Sequence, residues 1–306
     1  MTATAVLTAP TGRLLPLVAP GSAEWMRRMS ASKIAAVLGL SPYESRFSLW
    51  HRMAGLIPGE PESDEMRRGH YLEPAIAHWF ADQHPDWRVE GTGTWVAADD
   101  DRWAASPDRL VTCEDGEVRL LECKTEGSDE RWGEDGTDEI PVYHRAQVQW
   151  QMLVTGLRVA HVGLLTSYLS FRQYVVHWDP DDVARLVPAA EEFMASLPGG
   201  KTPRRPSIDG HGSTYQAVRE LHPDIDGEDF EVPRPLAEKF CGAVHAVKAA
   251  KEADSEARAE LADAMGSARR ALFDGDVLAT RVPRQSGTPS ITAARKLPTL
   301  TTPEAA

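Results

Sequence analysis

The stretch from Ser106 to Thr125 does most to limit what this chain can fold into. It reads Ser106-Pro107-Asp108-Arg109-Leu110, then Cys113-Glu114-Asp115-Gly116, then Leu120-Leu121-Glu122-Cys123-Lys124-Thr125. The middle block is a turn signal between two strand-like runs, so the segment predicts a β-hairpin. A three-residue loop, Glu114 to Gly116 with the glycine left-handed, pairs Cys113 with Glu117 and, counted outward, sets Asp108 opposite Glu122. Opposed residues share a face, and so do residues two apart on one strand, which puts Asp108, Glu122 and Lys124 on one side of the sheet. A two-residue loop would send Asp108 to the other side, so any shared chemistry requires the longer one.

Two carboxylates opposed across strands repel each other, and a divalent cation removes that conflict. Oxygen ligands in small number, with room left for water and a phosphate oxygen, suit Mg²⁺ or Mn²⁺ better than Zn²⁺. Lys124 beside them could orient water or stabilise charge on a phosphate. The competing reading is a surface hairpin whose Asp, Glu and Lys form solvated ion pairs.

With 306 residues, the chain is long enough for one substantial domain and an appendage. Its formal net charge of −13 argues against a general nucleic-acid coat protein, because non-specific affinity for DNA rests on Lys and Arg. A nuclease needs only a local basic groove. Cys113, Cys123 and Cys241 have no C-x-x-C spacing, which points away from a disulfide framework, a zinc site or an iron-sulfur cluster and fits a reducing cytosol. Residues 1–21, with Pro10, Pro16 and Pro20 and Arg13 as the one cation, make a poor signal peptide and are expected to be a disordered tail. No apolar run approaches the roughly 18 residues of a membrane span.

Further helices and strands surround the hairpin. Ser30 or Ser32 is a candidate N-cap for a short helix carrying Ile34, Val37 and Leu38, and a second short helix over Ser45 to Ala54 buries Phe47 and Trp50. Asp64 to Gln83 is helical, with Gly69 and Glu73 four apart on one face and Pro74 expected to kink or interrupt it. Val89 to Ala98 alternates like a strand, and the acidic stretch from Gly127 to Ile140 is expected to be a mobile loop over the site. After Pro141 comes a helix with Gln147 and Gln151 on a shared face. Strands over Ala160 to Thr166 and Phe171 to Trp178 follow, then a helix over Asp181 to Ser196. The order is that of an α/β fold with a mixed central sheet flanked by helices. Residues 199–230 read as a linker, 231–285 as a helix and hairpin extension, and 286–306 as a second disordered tail.

Four blocks in order, Met29 to Tyr43, Gly69-His70-Tyr71-Leu72-Glu73, the hairpin, and Ala146-Gln147-Val148-Gln149, resemble the YqaJ-like viral recombinase family within the PD-(D/E)xK nuclease superfamily, to which phage lambda exonuclease is related. The resemblance covers about Trp25 to Leu197, and the nuclease domain it implies is placed at residues 22–198. It implies a restriction-endonuclease-like core and a metal-dependent DNA exonuclease, 5′-to-3′ on linear duplexes, serving phage-type recombination in a bacterial or phage-infected cytosol. It further implies one or two Mg²⁺ or Mn²⁺ ions held by Asp108, Glu122 and the Cys123 carbonyl, with Lys124 and Glu73 completing the catalytic set. Phosphate contacts would fall to Gln147, Ser106, Ser32, Arg28 and Arg131. For Ser32 a plain helix cap, and for Arg131 an ordinary loop arginine, are equally open. The implied partners are duplex DNA ends, a single-strand annealing protein and further copies of the chain, as in a ring enclosing DNA. Two alternatives remain: an endonuclease of restriction or junction-resolving type on the same fold, and a DNA-binding module without the chemistry.

Overall fold

The computed structural model describes residues 9–59, 61–128, 130–284 and 287–298. The chain divides into two compact units, Met1–Asp224 and Ile225–Ala306. The first begins with β1 (Arg13–Leu15), α1 (Ala23–Met26), β2 (Met29–Ser30), α2 (Ala31–Val37), α3 (Arg46–Met53) and α4 (Asp64–Gln83). Strands β3 (Arg88–Gly91), β4 (Thr94–Val96), β5 (Trp103–Ala105), β6 (Arg109–Thr112) and β7 (Val118–Glu126) follow. Next come α5 (Val142–Thr155), β8 (Val159–Thr166), β9 (Phe171–His177), α6 (Pro180–Ser196) and α7 (Gly212–Leu221).

The central sheet has the order β3-β6-β7-β8-β9, parallel only between β7 and β8. It is the mixed, helix-flanked α/β sheet expected from the element order. On one face α5 packs Val148 and Met152 against Leu120, Val162, Leu164 and Tyr174. Each such side chain, fully removed from water, contributes about 1.5–3 kcal/mol. On the other face α4 lays Ala77 and Phe80 against Val111 and Leu121. Helix α4 is capped by Ser63, which accepts from the Met66 N–H, and it runs unbroken through Pro74. The His70 carbonyl, which loses its helical donor to that proline, lies on the exposed side where water can reach it.

A smaller sheet, β1-β4-β5-β2, lies beside the first. The single strand expected over Val89 to Ala98 is two strands, β3 and β4, in different sheets. The chain changes sheets at Thr92-Gly93, where a Cβ on Gly93 would stand 2.5 Å from the Leu15 carbonyl oxygen. Arg13–Leu15, expected within a disordered tail, pairs with β4, and the Thr11 and Gly12 N–H groups donate to the Thr155 carbonyl. Residues 1–8 lie outside the described residues.

Two further expectations need correction. Residues 127–140, read as a mobile loop over the site, are pinned along edge strand β9 across their described part. Gly136 N–H donates to Gln173 O, Val175 N–H to Thr137 O and the Tyr174 hydroxyl to Gly133 O, while Trp132 and Ile140 are buried in the core. The acidic composition hid two apolar anchors, and the segment covers a strand edge that would otherwise be open. The expected linker 199–230 contains α7, which docks Ala217 on Phe47 and Ile57. Its Thr214 hydroxyl donates to Ser45 Oγ at 2.6 Å.

Lys33 in α2 is a buried cation that sequence reading passed over. Its Nζ donates to the carbonyls of Trp25 (2.6 Å) and Arg28 (2.7 Å) and lies 3.5 Å from the centre of the Trp25 ring. Burial pulls its pKa down to about 7, with Glu44 opposing the fall. Between that value and 10.5 the unfolded chain holds a proton that the folded chain lacks, so stability rises with pH across this window. Urea unfolding is expected to show the native protein gaining about 2 kcal/mol between pH 7 and pH 9 relative to Lys33→Met. Equal slopes for the two proteins would contradict this.

The second unit holds α8 (Arg234–Met265) and an antiparallel sheet of β10 (Arg270–Phe273), β11 (Asp276–Val282) and β12 (Ser290–Ala293). Asp274 and Gly275, both with positive φ, form the expected two-residue hairpin turn. Strand β12 falls within the stretch expected to be a disordered tail, and Arg258 of α8 donates to its Ile291 carbonyl. Residues 299–306 of that tail lie outside the described residues.

Candidate active site

The β6–β7 loop is Glu114 to Gly116, closed by hydrogen bonds from Cys113 N–H to Glu117 O (2.8 Å) and from Gly116 N–H to Cys113 O (2.9 Å). Gly116 has φ +85°, the left-handed conformation the loop requires. The ladder pairs Thr112 with Val118 through Arg109 with Leu121, and its continuation sets Asp108 opposite Glu122. This step falls between hydrogen-bonded pairs, where opposed side chains come closest. One residue further, Cys123 faces Pro107, which has no N–H to give. The Cys123 N–H donates to Asp108 Oδ2 at 2.6 Å. Its carbonyl points to the same side of the strand and is left without a ladder donor.

Around Glu122 the polar groups form one network. Its Oε1 accepts from Lys124 Nζ and from Gln147 Nε2, both at 2.6 Å, and its Oε2 accepts from Gln151 Nε2 at 2.7 Å. Lys124 Nζ also donates to Gln147 Oε1 at 3.1 Å. The two glutamines are one turn apart on α5, so the face that buries Val148 and Met152 against the sheet also aims both amides at the β7 carboxylate.

Residues 24–158 match the YqaJ-like viral recombinase domain. Over that segment the chain is similar to the YqaJ-like family. A Bacillus subtilis (strain 168) protein, the uncharacterized protein YqaJ, is 23% identical over 226 residues, covering 66% of this chain and 64% of that protein. The chain thus spans less than two thirds of the curated relative's length. Among solved structures, the Laribacter hongkongensis alkaline exonuclease LHK-Exo in complex with dAMP is 21% identical with a TM-score of 0.47, covering 57% of this chain and 90% of that one. A phage-related exonuclease from Haemophilus somnus 129PT is 10% identical with a TM-score of 0.40, covering 55% and 93%.

Charge within the site is unevenly shared. Burial and the nearby Glu122 carboxylate push Asp108 well above the ordinary carboxylate range. Burial works against the charge on Lys124, but Glu122 and Asp108 outweigh it and hold the amine above its usual value. Asp108 therefore resists ionising unless a further positive charge arrives. The donor set fits a hard divalent cation: two carboxylates, the Cys123 carbonyl and Gln151 Oε1, a buried side-chain acceptor without a hydrogen-bond partner among the described residues. A second cluster, Cys113, Asp115 and Glu117, stands at the hairpin tip. Its acids are engaged in the turn itself, Asp115 by the Glu117 N–H and Glu117 by Arg119.

The other residues named by sequence lie around this centre. Glu73 makes a 2.5 Å contact with Arg109, which also donates to the Asp108 carbonyl, so the third acid is tied to the motif from the α4 side of the sheet. Ser32 is exposed inside the first turn of α2, its Oγ 3.1 Å from Ser30 Oγ; Ser30, without a side-chain cap bond, holds the N-cap position. Arg28 is bound by Glu24 and by the Asp101 carbonyl. Ser106 lies 2.9 Å from Thr94 Oγ1. Arg131 is exposed, near enough for its charge to act on Tyr43.

Sequence reading missed Arg109 and the Glu126 group. Glu126 continues the face of Glu122 and Lys124 by the same two-residue step, a signal present in the sequence. Its Oε1 takes His144 Nε2 at 3.1 Å and the Tyr143 hydroxyl at 3.3 Å. Burial holds His144 down at about 4, so it is neutral near pH 7.

Proposed function

We propose that this chain is a metal-dependent deoxyribonuclease that degrades linear duplex DNA from its ends, 5′ to 3′, in a phage-type recombination system. The observation that carries the reading is the opposition of Asp108 and Glu122 one step beyond the last ladder pair, with Lys124 2.6 Å from Glu122. A solvated surface pair would have neither burial nor two glutamines aimed at it. The match of residues 24–158 to a viral recombinase domain supports the same direction.

In this reading Asp108, Glu122 and the Cys123 carbonyl hold one or two Mg²⁺ or Mn²⁺ ions. A cation held there would supply Lewis-acid polarisation of the scissile phosphate and a lower pKa for water. Lys124 places the attacking water and stabilises charge building on the phosphate oxygens. Gln147 fixes the amine against Glu122, and the Arg109 bridge sets Glu73 at the rim. Ser32, Ser106, Arg28 and Arg131 are the proposed phosphate contacts, with Gln147 nearest the scissile group. Arg28 would have to leave Glu24 to serve. A single-strand annealing protein is the proposed partner, and a ring of copies with a basic lining would reconcile a net charge of −13 with DNA binding. The proposed compartment is the bacterial or phage-infected cytosol. Among the described residues, no helix is long and apolar enough to cross a membrane.

Substrate topology provides the test. With Mg²⁺ the protein is expected to leave covalently closed circular DNA intact and to degrade the same molecule once linearised, consuming the strand with a 5′-phosphate and sparing one whose 5′ end is blocked. Cleavage of the closed circle would transfer the assignment to an endonuclease. Loss of the opposite strand would reverse the polarity.

A further inference from the structure

The β8–β9 hairpin repeats the loop geometry of the β6–β7 hairpin with a leucine where that loop has its glycine. Thr166 N–H donates to Ser170 O at 3.0 Å and Leu169 N–H to Thr166 O at 2.9 Å, the same two closures that Cys113, Gly116 and Glu117 make. The third loop residue is left-handed in both: Gly116 at φ +85° and Leu169 at φ +61°. A leucine is sterically strained there and a glycine is not. Packing does not repay the strain, because Leu169 is 70% exposed and its neighbour Tyr168 is 80% exposed.

The loop also occupies a particular place. Strand β8 runs parallel to β7, pairing Leu164 with Lys124 and Thr166 with Glu126. It therefore leaves the sheet two residues, about 7 Å, beyond the level of Lys124. At its base Phe171 stacks on Trp79 of α4, ring centres 5.1 Å apart. Ser167, Tyr168, Leu169 and Ser170 carry no charge, and the two large side chains at the tip are the aromatic Tyr168 and the apolar Leu169.

We propose that the Tyr168–Leu169 tip is a nucleobase contact: it receives the base next to the scissile phosphate, Tyr168 stacking on its face and Leu169 bearing on its edge. This rests on the nuclease reading of Lys124 and its neighbours. A base fits better than a protein partner, since two side chains fall far short of the roughly 800 Å² that a stable protein interface buries on each side. Stacking on an aromatic ring also suits an enzyme that must accept any sequence, because every base has such a face.

The test uses the full chain with Mg²⁺ and linear duplexes carrying either a normal or an abasic 5′-terminal nucleotide. Leu169→Gly is expected to raise Tm by a few degrees as the strain is relieved, yet to raise KM several-fold on normal ends. Tyr168→Ser is expected to raise KM about tenfold, and Tyr168→Phe to keep it near the native value. On abasic ends the native protein should fall to the level of the variants, with no further loss from either change. A higher Tm for Leu169→Gly with native KM, or a full further loss on abasic ends, would overturn the proposal while leaving the nuclease reading intact. Absence of hydrolysis by the native protein would remove that reading first. If Leu169→Gly does not fold, the Tyr168 pair decides alone.

Discussion

Lys124→Met is expected to slow DNA hydrolysis by about a hundred- to ten-thousand-fold, the range lost when a positioned proton donor or charge-stabilising group is removed. It should also destabilise the metal-free protein. Lys124 Nζ is the cation at Glu122, whose side chain is only 4% exposed. Removing one partner of a buried pair leaves an uncompensated charge at a cost of about 3 kcal/mol. Gln147 and Gln151 still donate to Glu122, but neutral amides do not replace the charge. The double variant Lys124→Met, Glu122→Gln should therefore recover most of the stability and none of the activity. Urea unfolding in chelator, beside a linear-duplex digestion, separates the two effects. A Lys124→Met protein that is as stable as the native one would mean that the amine is not the counter-charge.

Asp108→Asn is expected to do the reverse to stability. Two acids opposed across β6 and β7 repel, and the substituted amide would keep an oxygen for the Cys123 N–H without the charge. In chelator the variant should be more stable than the native protein by about 1 kcal/mol at neutral pH. The pH dependence fixes the sign. Because the folded pKa of Asp108 lies above its unfolded value, its contribution is fully present at low pH and is lost as pH rises through the folded value. The variant has no such loss, so the gap should widen with pH. Hydrolysis should vanish in the variant. A metal-free Asp108→Asn protein less stable than the native one would show that no repulsion is stored there.

The register of the central hairpin was legible because one glycine fixes it: with Gly116 left-handed, every later pairing follows by counting. The Asp108–Glu122 opposition came with it. The face of Lys124 was legible for the same reason, and Gln147 and Gln151 were visible as an unusual polar pair on an apolar helix. Their target was not, because helix periodicity gives a face and not a direction across a sheet. Arg109 went unread although it adjoins the motif, since its partner Glu73 is distant in sequence and sits on the opposite side of the sheet. The same limit explains β1, where Arg13–Leu15 becomes a strand only because β4 offers an edge. Helix α7 docks through Ala217, with Val218 and Leu221 packed beside it, a short stripe inside a stretch whose Pro, Gly and charge read as a linker. Ser32 and Ser106 were named by resemblance, and in the folded chain each hydroxyl lies beside another hydroxyl, which sequence spacing could not reveal.

The account turns on a cation seated between Asp108 and Glu122, and calorimetric titration of Mn²⁺ into the native protein, Asp108→Asn, Glu122→Gln and an Asp115→Asn control tests it most directly. Saturable binding by the native protein and the hairpin-tip control, lost in the two site variants, is the predicted result. Binding that survives Asp108→Asn and Glu122→Gln but disappears with Asp115→Asn would place the metal at the hairpin tip and contradict it.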